Sequence, residues 1–279
     1  MEEEEANNKN SNCEVGHSSI QTPYIIFRDD FDTSLNTNDL VSKPEETVPY
    51  QVFPKIYEDS RGGFSESIVR DVREWMVPDC YNYADVLSRT RQINRSYSKP
   101  GVMRGFHAQK APYTQGKLVE CLSETPIWDI ILDARPNSRT YQQYALFKLD
   151  CRTMTKVWIP RGFLHGFVVP KYGTMKGLDN HIEVFEYKED AQFQYFVDND
   201  YSPESEIVVN PKLLLQIIIE SYAKEFQKDN NKNHELYGLI RTVAEGLTYS
   251  EKDLCNYDFK DFLDERAKEF SEGNLWYCK

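Results

Sequence analysis

The chain has 279 residues, of which 40% are hydrophobic and 28% are charged, and its formal net charge is −12 at pH 7. The charge is uneven: residues 1–47 contain 11 acidic and 3 basic residues, so the other 232 residues carry a net charge of only −4. Because no basic stripe exists to displace counterions from phosphates, general nucleic-acid binding is disfavoured. A small anionic ligand is compatible with this composition, since it needs only a few local Arg and Lys side chains.

The cysteine pattern and the apolar segments indicate where such a protein resides. Six cysteines are widely scattered and form no Cys-x-x-Cys pair, which favours free thiols in a reducing compartment. The N-terminus is acidic and lacks the apolar run of a signal peptide. No stretch approaches the length of a membrane span. These features predict a cytoplasmic protein that does not interact with membranes.

In chain order, the composition of the sequence and the spacing of its apolar residues change twice. Residues 1–47 are predicted to be an acidic, largely disordered tail and linker. Residues 48–210 contain many short apolar segments about ten residues apart, separated by Gly and Pro turns, which predicts a mainly β domain of the jelly-roll kind with a charged insertion at 171–192. From residue 211 the apolar residues follow a helical period, so residues 211–279 are predicted to form a helical C-terminal extension.

The segment Asn94 to Val119 concentrates the residues that can carry chemistry. It contains one His, two Arg, two Gln and three Lys in the sequence NRSYSKPGVMRGFHAQKAPYTQGKLV. Its apolar residues alternate, which predicts two strands with a turn at Lys110 to Thr114. A base, cations and amide donors on one rigid hairpin indicate a small-molecule site.

A second histidine lies in the sequence WIPRGFLH, whose Pro-x-Gly-x-x-His pattern resembles the second signature of the cupin fold. Cupins usually hold a metal through a His-x-His pair and a Glu in their first signature. The matching place here is His107-Ala108-Gln109, so the second His is missing. Two imidazoles without a third ligand make a poor metal site, and we therefore expect a metal-free cupin.

Six motifs then follow one another in order: GVMRGFHAQ, QGKLVEC, WDIILDARPNSRTY, WIPRGFLHGF, YSPESE and SEKDL. With the earlier EDSRGGFSES, they resemble the dTDP-4-dehydrorhamnose 3,5-epimerases and related NDP-4-ketosugar epimerases. The resemblance covers roughly residues 48–170, 193–206 and 247–255. It implies a homodimeric cupin that needs no cofactor and epimerises C3 and C5 of an NDP-4-keto-6-deoxyhexose.

The resemblance also assigns catalytic roles. The C–H groups beside a ketone are acidic, and inversion there needs a base on one face, a stabilised enolate and an acid on the other face. The family pattern makes His107 the base and places an orienting carboxylate at Asp253 of the Ser-x-Lys-Asp segment. Tyr195 is the predicted acid, because it lies six residues before the Tyr of the Tyr-Ser-Pro segment. The alternative acid is Tyr187, which is followed by Lys as the family Tyr often is.

Further residues are assigned to substrate binding by the same resemblance. Arginines would hold the diphosphate through their forked donors, and Lys117 could stabilise the enolate. Arg104 and His107 are three residues apart, so a regular strand would point them to opposite faces, and we predict a bulge or bend at Gly105. The predicted substrate-binding residues are Arg61, Phe64, Glu66, Gln92, Asn94, Arg104, Lys117, His165, Glu206 and Lys252.

Parts of the chain depart from the family pattern, and they leave alternatives open. The acidic tail, the insertion at 171–192 and the helices at 211–245 have no counterpart in it. One alternative is therefore a 3-epimerase, a 5-epimerase or a 3,4-ketoisomerase acting on another nucleotide sugar. The other is a cupin binding module that has lost catalysis.

Overall fold

The computed structural model describes residues 49–52, 56–60, 62–65, 90–138, 140–178, 181–228, 234–254, 258–274 and 276–277. The first strands are β1 (Tyr50–Val52), β2 (Tyr57–Asp59), β3 (Gly62–Phe64), β4 (Gln92–Ser98), β5 (Met103–Gln109), β6 (Lys117–Cys121) and β7 (Ile127–Asp133). They are followed by β8 (Tyr144–Leu149), β9 (Lys156–Ile159), β10 (Phe163–Val168), β11 (Tyr172–Lys176), β12 (Ile182–Glu186), β13 (Ala191–Val197) and β14 (Glu206–Val209). The helices are α1 (Lys212–Lys228), α2 (His234–Glu245), α3 (Glu251–Leu254) and α4 (Phe259–Ser271).

Ten of these strands build two five-stranded sheets. The front sheet has the order β1-β9-β6-β13-β4, and the back sheet has the order β14-β5-β10-β7-β8. Neighbouring strands within both sheets are antiparallel. The predicted jelly-roll barrel is therefore confirmed.

The two sheets enclose an apolar core beside a polar cavity. Side chains alternate along a strand, so every second residue points to the facing sheet. Val119, Val157 and Phe193 of the front sheet contribute to one buried cluster with Ile131 and Phe147 of the back sheet. This core fixes the separation of the sheets next to the cavity.

The predicted C-terminal helices cover the outer face of the back sheet, which confirms the helical extension. Phe106 and Ile130 of that sheet belong to a second buried cluster. Ile218 of α1, Leu239 of α2 and Phe262 of α4 are each 0% exposed within it. The apolar stripes recognised in the sequence at helical spacing are the faces that pack there.

Strands β11 and β12 form a separate two-stranded hairpin within the segment predicted as an insertion. The hairpin lies between β10 and β13 in the chain, and α2 packs against β11. The predicted disorder of residues 1–47 lies outside the described residues, and the proposed domain boundaries stay predictions. Within the part of the chain that is described, no helix is both long enough and apolar enough to cross a membrane.

Candidate active site

A cavity of about 630 Å³ opens between the two sheets. Strands β4, β6 and β13 line it from the front sheet, and β5, β10 and β14 line it from the back sheet. Residues 248–250 and the short helix α3 close one side. The predicted site residues among its lining are Gln92, Asn94, Arg104, His107, Lys117, His165, Tyr195, Glu206, Lys252 and Asp253.

A bulge in β5 brings Arg104 and His107 to the same cavity. His107 is paired with His165 and Arg104 is paired with Phe167, so three steps along β5 match two steps along β10. The extra residue reverses the facing of the side chains beyond it. This register shift confirms the irregularity that was predicted at Gly105.

His107 is placed to act as a base. Its Nδ1 lies 3.2 Å from the carbonyl oxygen of Gly105, which can only accept, so Nδ1 carries the proton and Nε2 has the free lone pair. Burial, followed by the charge of Lys117 and the nearby His165, holds the pKa of His107 well below 6.5. The ring therefore stays neutral at pH 7 and can accept a proton.

Behind His107, Lys117, His165 and Asp129 form a buried chain of polar groups. Lys117 Nζ lies 3.0 Å from His165 Nε2, and His165 Nδ1 lies 3.4 Å from Asp129 Oδ1. Burial lowers the pKa of Lys117 to about 8 and raises the pKa of Asp129 to about 8. Burial and the charge of Lys117 also keep His165 neutral by lowering its pKa. Lys117 thus presents a buried ammonium group to the cavity, and its Nζ contacts the neutral ring of His165.

Asp129 was missed by the sequence analysis. It is 0% exposed, and its Oδ2 has no hydrogen-bond partner in the described part of the chain. An acidic residue inside the apolar run IWDIILD was the available signal, because a buried carboxylate there needs a partner. The sequence alone does not reveal which histidine provides it.

Tyr195 lines the cavity from the front sheet. It is paired with Asn94 of β4 and Val119 of β6, so the three side chains share the inner face of that sheet. Burial raises the pKa of Tyr195, while the nearby Arg104 opposes that increase. The phenol therefore keeps its proton at neutral pH and can donate it.

Tyr187, the alternative acid, is placed elsewhere. It lies beyond β12, its ring packs edge-on against Phe185 at 5.1 Å, and it is not among the residues that line the cavity. Its pKa is raised to about 12 by burial. The geometry thus favours Tyr195 over Tyr187 as the tyrosine that can reach a ligand beside His107.

Asp253 lies at the cavity but contacts the backbone. Its Oδ1 accepts from the N–H of Gly105 at 3.1 Å, and its Oδ2 accepts from the hydroxyl of Ser250 at 2.7 Å. The expected carboxylate–imidazole bond is not among the hydrogen bonds of the described residues. Asp253 instead holds the bulge whose carbonyl accepts from His107, because the bulge brings the Gly105 amide into its reach.

The rim of the cavity is polar and more exposed. Arg104 Nε and Nη2 lie 3.3 and 3.2 Å from Ser98 Oγ. Glu206 accepts from Tyr201 at 2.6 Å and forms an ion pair with Lys252. On β4, Gln92 donates to Asn94 at 2.5 Å. Of these residues, Tyr201 was identified in the sequence only as a spacing marker.

One predicted binding residue does not reach the cavity, and two others lie outside the described residues. Phe64 lies on β3, is 62% exposed and does not line the cavity. Arg61 and Glu66 lie outside the described residues. A metal site is also not formed by the described residues, which contain no cluster of three His, Cys, Asp or Glu able to hold an ion.

Comparison with known proteins assigns the chain to a family. A sequence profile described as dTDP-4-dehydrorhamnose 3,5-epimerase matches residues 49–176. Enzymes of that name from Shigella flexneri and Salmonella typhimurium are 33% and 34% identical over 153 residues, which is 55% of this chain and 71% and 70% of theirs. The crystal structure of an enzyme with the same name from Elizabethkingia anophelis is 26% identical, with a TM-score of 0.52 over 88% of this chain and 98% of that one.

Proposed function

This chain belongs to the dTDP-4-dehydrorhamnose 3,5-epimerase family, and we propose that it inverts C3 and C5 of a nucleoside-diphosphate 4-keto-6-deoxyhexose. The named relatives are isomerases, so the chain is an enzyme of that class rather than a binding module. The substrate is of the dTDP-4-dehydro-6-deoxyglucose type, and the product is of the dTDP-4-dehydrorhamnose type.

The observation that carries this proposal is that His107 and Tyr195 line the same cavity from facing sheets. His107 reaches it from β5 of the back sheet, and Tyr195 reaches it from β13 of the front sheet. Inversion requires that a proton leaves one face of the sugar ring and another arrives on the opposite face. A base and an acid on facing sheets meet that requirement.

In the proposed reaction, His107 Nε2 takes the proton from the carbon beside the ketone. The electron pair of the C–H bond forms a C=C bond, and the C4 carbonyl oxygen becomes an enolate. Lys117, protonated below pH 8 and buried, supplies positive charge to that oxygen. Tyr195 then gives its proton to the carbon from the other face, and the enolate electrons return to form the new C–H bond.

Asp253 supports the base through Gly105. By accepting from the Gly105 N–H it fixes the bulge, and the Gly105 carbonyl then holds His107 in the Nδ1–H tautomer. The role proposed for Asp253 is therefore that of a positioning residue. This agrees with the orienting role expected from the sequence, although the route runs through the backbone.

The rim suits the nucleotide diphosphate. Arg104 is exposed at the cavity mouth, and its guanidinium can donate two hydrogen bonds to phosphate oxygens. Gln92, Asn94, Glu206 and Lys252 offer donors and acceptors to the sugar or the base. Arg61, Phe64 and Glu66 remain predicted binding residues.

Incorporation of solvent deuterium tests the proposal. The protein is incubated with dTDP-4-keto-6-deoxyglucose in D₂O, and exchange at C3 and C5 is followed by NMR. Exchange with inversion at both carbons is expected. Exchange at one carbon would instead indicate a single-site epimerase, and formation of a 3-keto sugar would indicate a ketoisomerase. No exchange at either carbon would contradict the proposal.

The proposal includes a cytoplasmic homodimer. Among the described strands, β4 is the last one of the front sheet, and one of its edges pairs with none of the others, so that edge can accept a strand of a second copy. Ile93 and Tyr97 on its outer face are 57% and 69% exposed. A second copy that covers this strand would bury both side chains, and sedimentation analysis of the protein would detect it.

A further inference from the structure

We propose that the contact between helix α2 and strand β11 is a positioning device for Asp253, so that the hairpin β11–β12 helps to set the catalytic base. Helix α2 lies beyond the residues that match the family profile, whereas β11 lies at the end of that match. The catalytic consequence rests on the proposed function, whereas the positioning itself can be measured without it.

Helix α2 lies directly on the backbone of β11. A Cβ atom added to Gly238 would lie 2.3 Å from the carbonyl oxygen of Tyr172, so only glycine permits this approach. Thr242 accepts from the N–H of Lys171 at 2.9 Å, and Tyr172 donates to Glu245 at 2.7 Å. These contacts fix the second half of helix α2, up to its last residue, against the start of β11.

The end of α2 leads straight to the segment that carries Asp253. After Gly246, which ends the helix with φ of +100°, Thr248 forms a parallel bridge with Val102. The Thr248 N–H donates to Gly101 at 2.9 Å, and the Thr248 carbonyl accepts from Met103 at 2.9 Å. The position of α2 therefore determines how residues 246–250 meet the start of β5.

Asp253 follows on α3, which is only four residues long and cannot fix itself. Its carboxylate reaches the Gly105 amide, and the Gly105 carbonyl reaches His107. A Cβ atom at Gly105 would lie 3.1 Å from Asp253 Oδ1, so the fit here is close. A displacement of α2 is thus transmitted to the ring of His107 through one backbone segment and one carboxylate.

The start of the hairpin β11–β12 also connects helix α2 to strands β10 and β13. Lys171 follows β10, which carries His165, and its carbonyl accepts from the N–H of Tyr187 at 2.8 Å. The chain then continues to β13, which carries Tyr195. Helix α2 therefore contacts the start of the segment that joins the strand of His165 to the strand of Tyr195.

The test uses Gly238→Ala in the full-length protein. Alanine is the better helix former, so a loss of function cannot come from a weaker helix, but its Cβ forces α2 away from β11. We expect hydrogen exchange of the Gly105 amide to become at least about tenfold faster, because its bond to a carboxylate is lost. We expect kcat to fall on the order of 10- to 100-fold with little change in KM, as for a misplaced catalytic group.

Two comparisons separate positioning from general damage. Tyr237→Ala places the same residue on the exposed face of α2 and should change neither quantity. In an Asp253→Ala background, Gly238→Ala should change kcat by less than about twofold, because the group it positions is already absent. If Gly238→Ala unfolds the protein, Tyr172→Phe, which removes only the bond to Glu245, should give smaller changes in both readouts.

The outcomes distinguish this inference from the proposed function. Unchanged exchange at Gly105 and unchanged kcat in Gly238→Ala would overturn the inference in an active enzyme. A full additional loss of kcat in the Asp253→Ala background would also overturn it. Faster exchange at Gly105 in a protein without epimerase activity would support the positioning and contradict the proposed function.

Discussion

The inner wall and the rim of the cavity use similar residue types in different ways. The inner wall consists of His107, Lys117 and His165, with Asp129 buried behind His165, and the rim consists of Arg104, Tyr201, Glu206 and Lys252. Asp129 is 0% exposed and Lys117 is 6% exposed, whereas the side chain of Lys252 is 58% exposed and paired with Glu206. Burial shifts the pKa values of the wall residues, which suits the proton transfer proposed for them, whereas the exposed and paired residues of the rim suit the binding role proposed for them.

The largest expected effect is the loss of the base. His107→Asn should lower kcat by about 10²- to 10⁴-fold, because a general base contributes that much. Binding of dTDP, measured by calorimetry, should change little, since the rim is intact. The matched control is His181→Asn, an exposed histidine paired with Glu183 away from the cavity. A His107 variant that retains wild-type kcat would show that the inner wall does not supply the catalytic base.

The next effect concerns the buried cation. Lys117→Met should lower kcat by about 10²- to 10³-fold, as when one donor to a developing oxyanion is removed. Its matched control, Lys176→Met at the end of β11, removes an exposed charge and should leave kcat unchanged. If both variants behave alike, the enolate is not stabilised by Lys117.

The pKa shifts of His107 and Lys117 predict how kcat/KM depends on pH. Because the pKa of His107 is lowered, kcat/KM should hold at pH 6.5 and fall only at lower pH, where the base becomes protonated. Because the pKa of Lys117 is about 8, kcat/KM should fall again as the pH rises past 8 and the cation is lost. An alkaline limb that persists in Lys117→Met would assign that limb to another group.

At the rim, substitution should affect binding rather than chemistry. Arg104→Gln should raise KM about tenfold or more with a smaller change in kcat, because charge-assisted bonds to phosphate are lost. Lys252→Met should raise KM by less than about fivefold, since an exposed ion pair contributes little. Steady-state kinetics of the two variants, side by side, give the ranking. A fall in kcat that exceeds the rise in KM would place Arg104 in the chemistry.

Much of the barrel could be predicted because it depends on local pattern. Alternating apolar residues and Gly and Pro turns indicated the strands, and the three-residue spacing of Arg104 and His107 required the bulge that β5 contains. The cavity residues on β4, β5 and β13 followed from the resemblance to the family. Their catalytic and binding roles stay predictions that the experiments above test.

The remaining features depend on contacts between distant parts of the chain. Asp253 and Gly105 are 148 residues apart, and no spacing rule predicts that the carboxylate reaches an amide instead of the imidazole. Asp129 meets His165 only because β7 and β10 are neighbours in the back sheet. The contact between α2 and β11 likewise depends on the hairpin, whose fold was not predicted from its charged sequence.

The most direct test of the central claim separates proton removal from inversion. In Tyr195→Phe, His107 can still remove and return a proton on its own face, so deuterium should enter C3 or C5 without inversion. In His107→Asn, neither deuterium entry nor inversion should occur. NMR of the sugar in D₂O measures both events, and inversion at the wild-type rate in Tyr195→Phe would contradict the assignment of this tyrosine as the acid across the cavity.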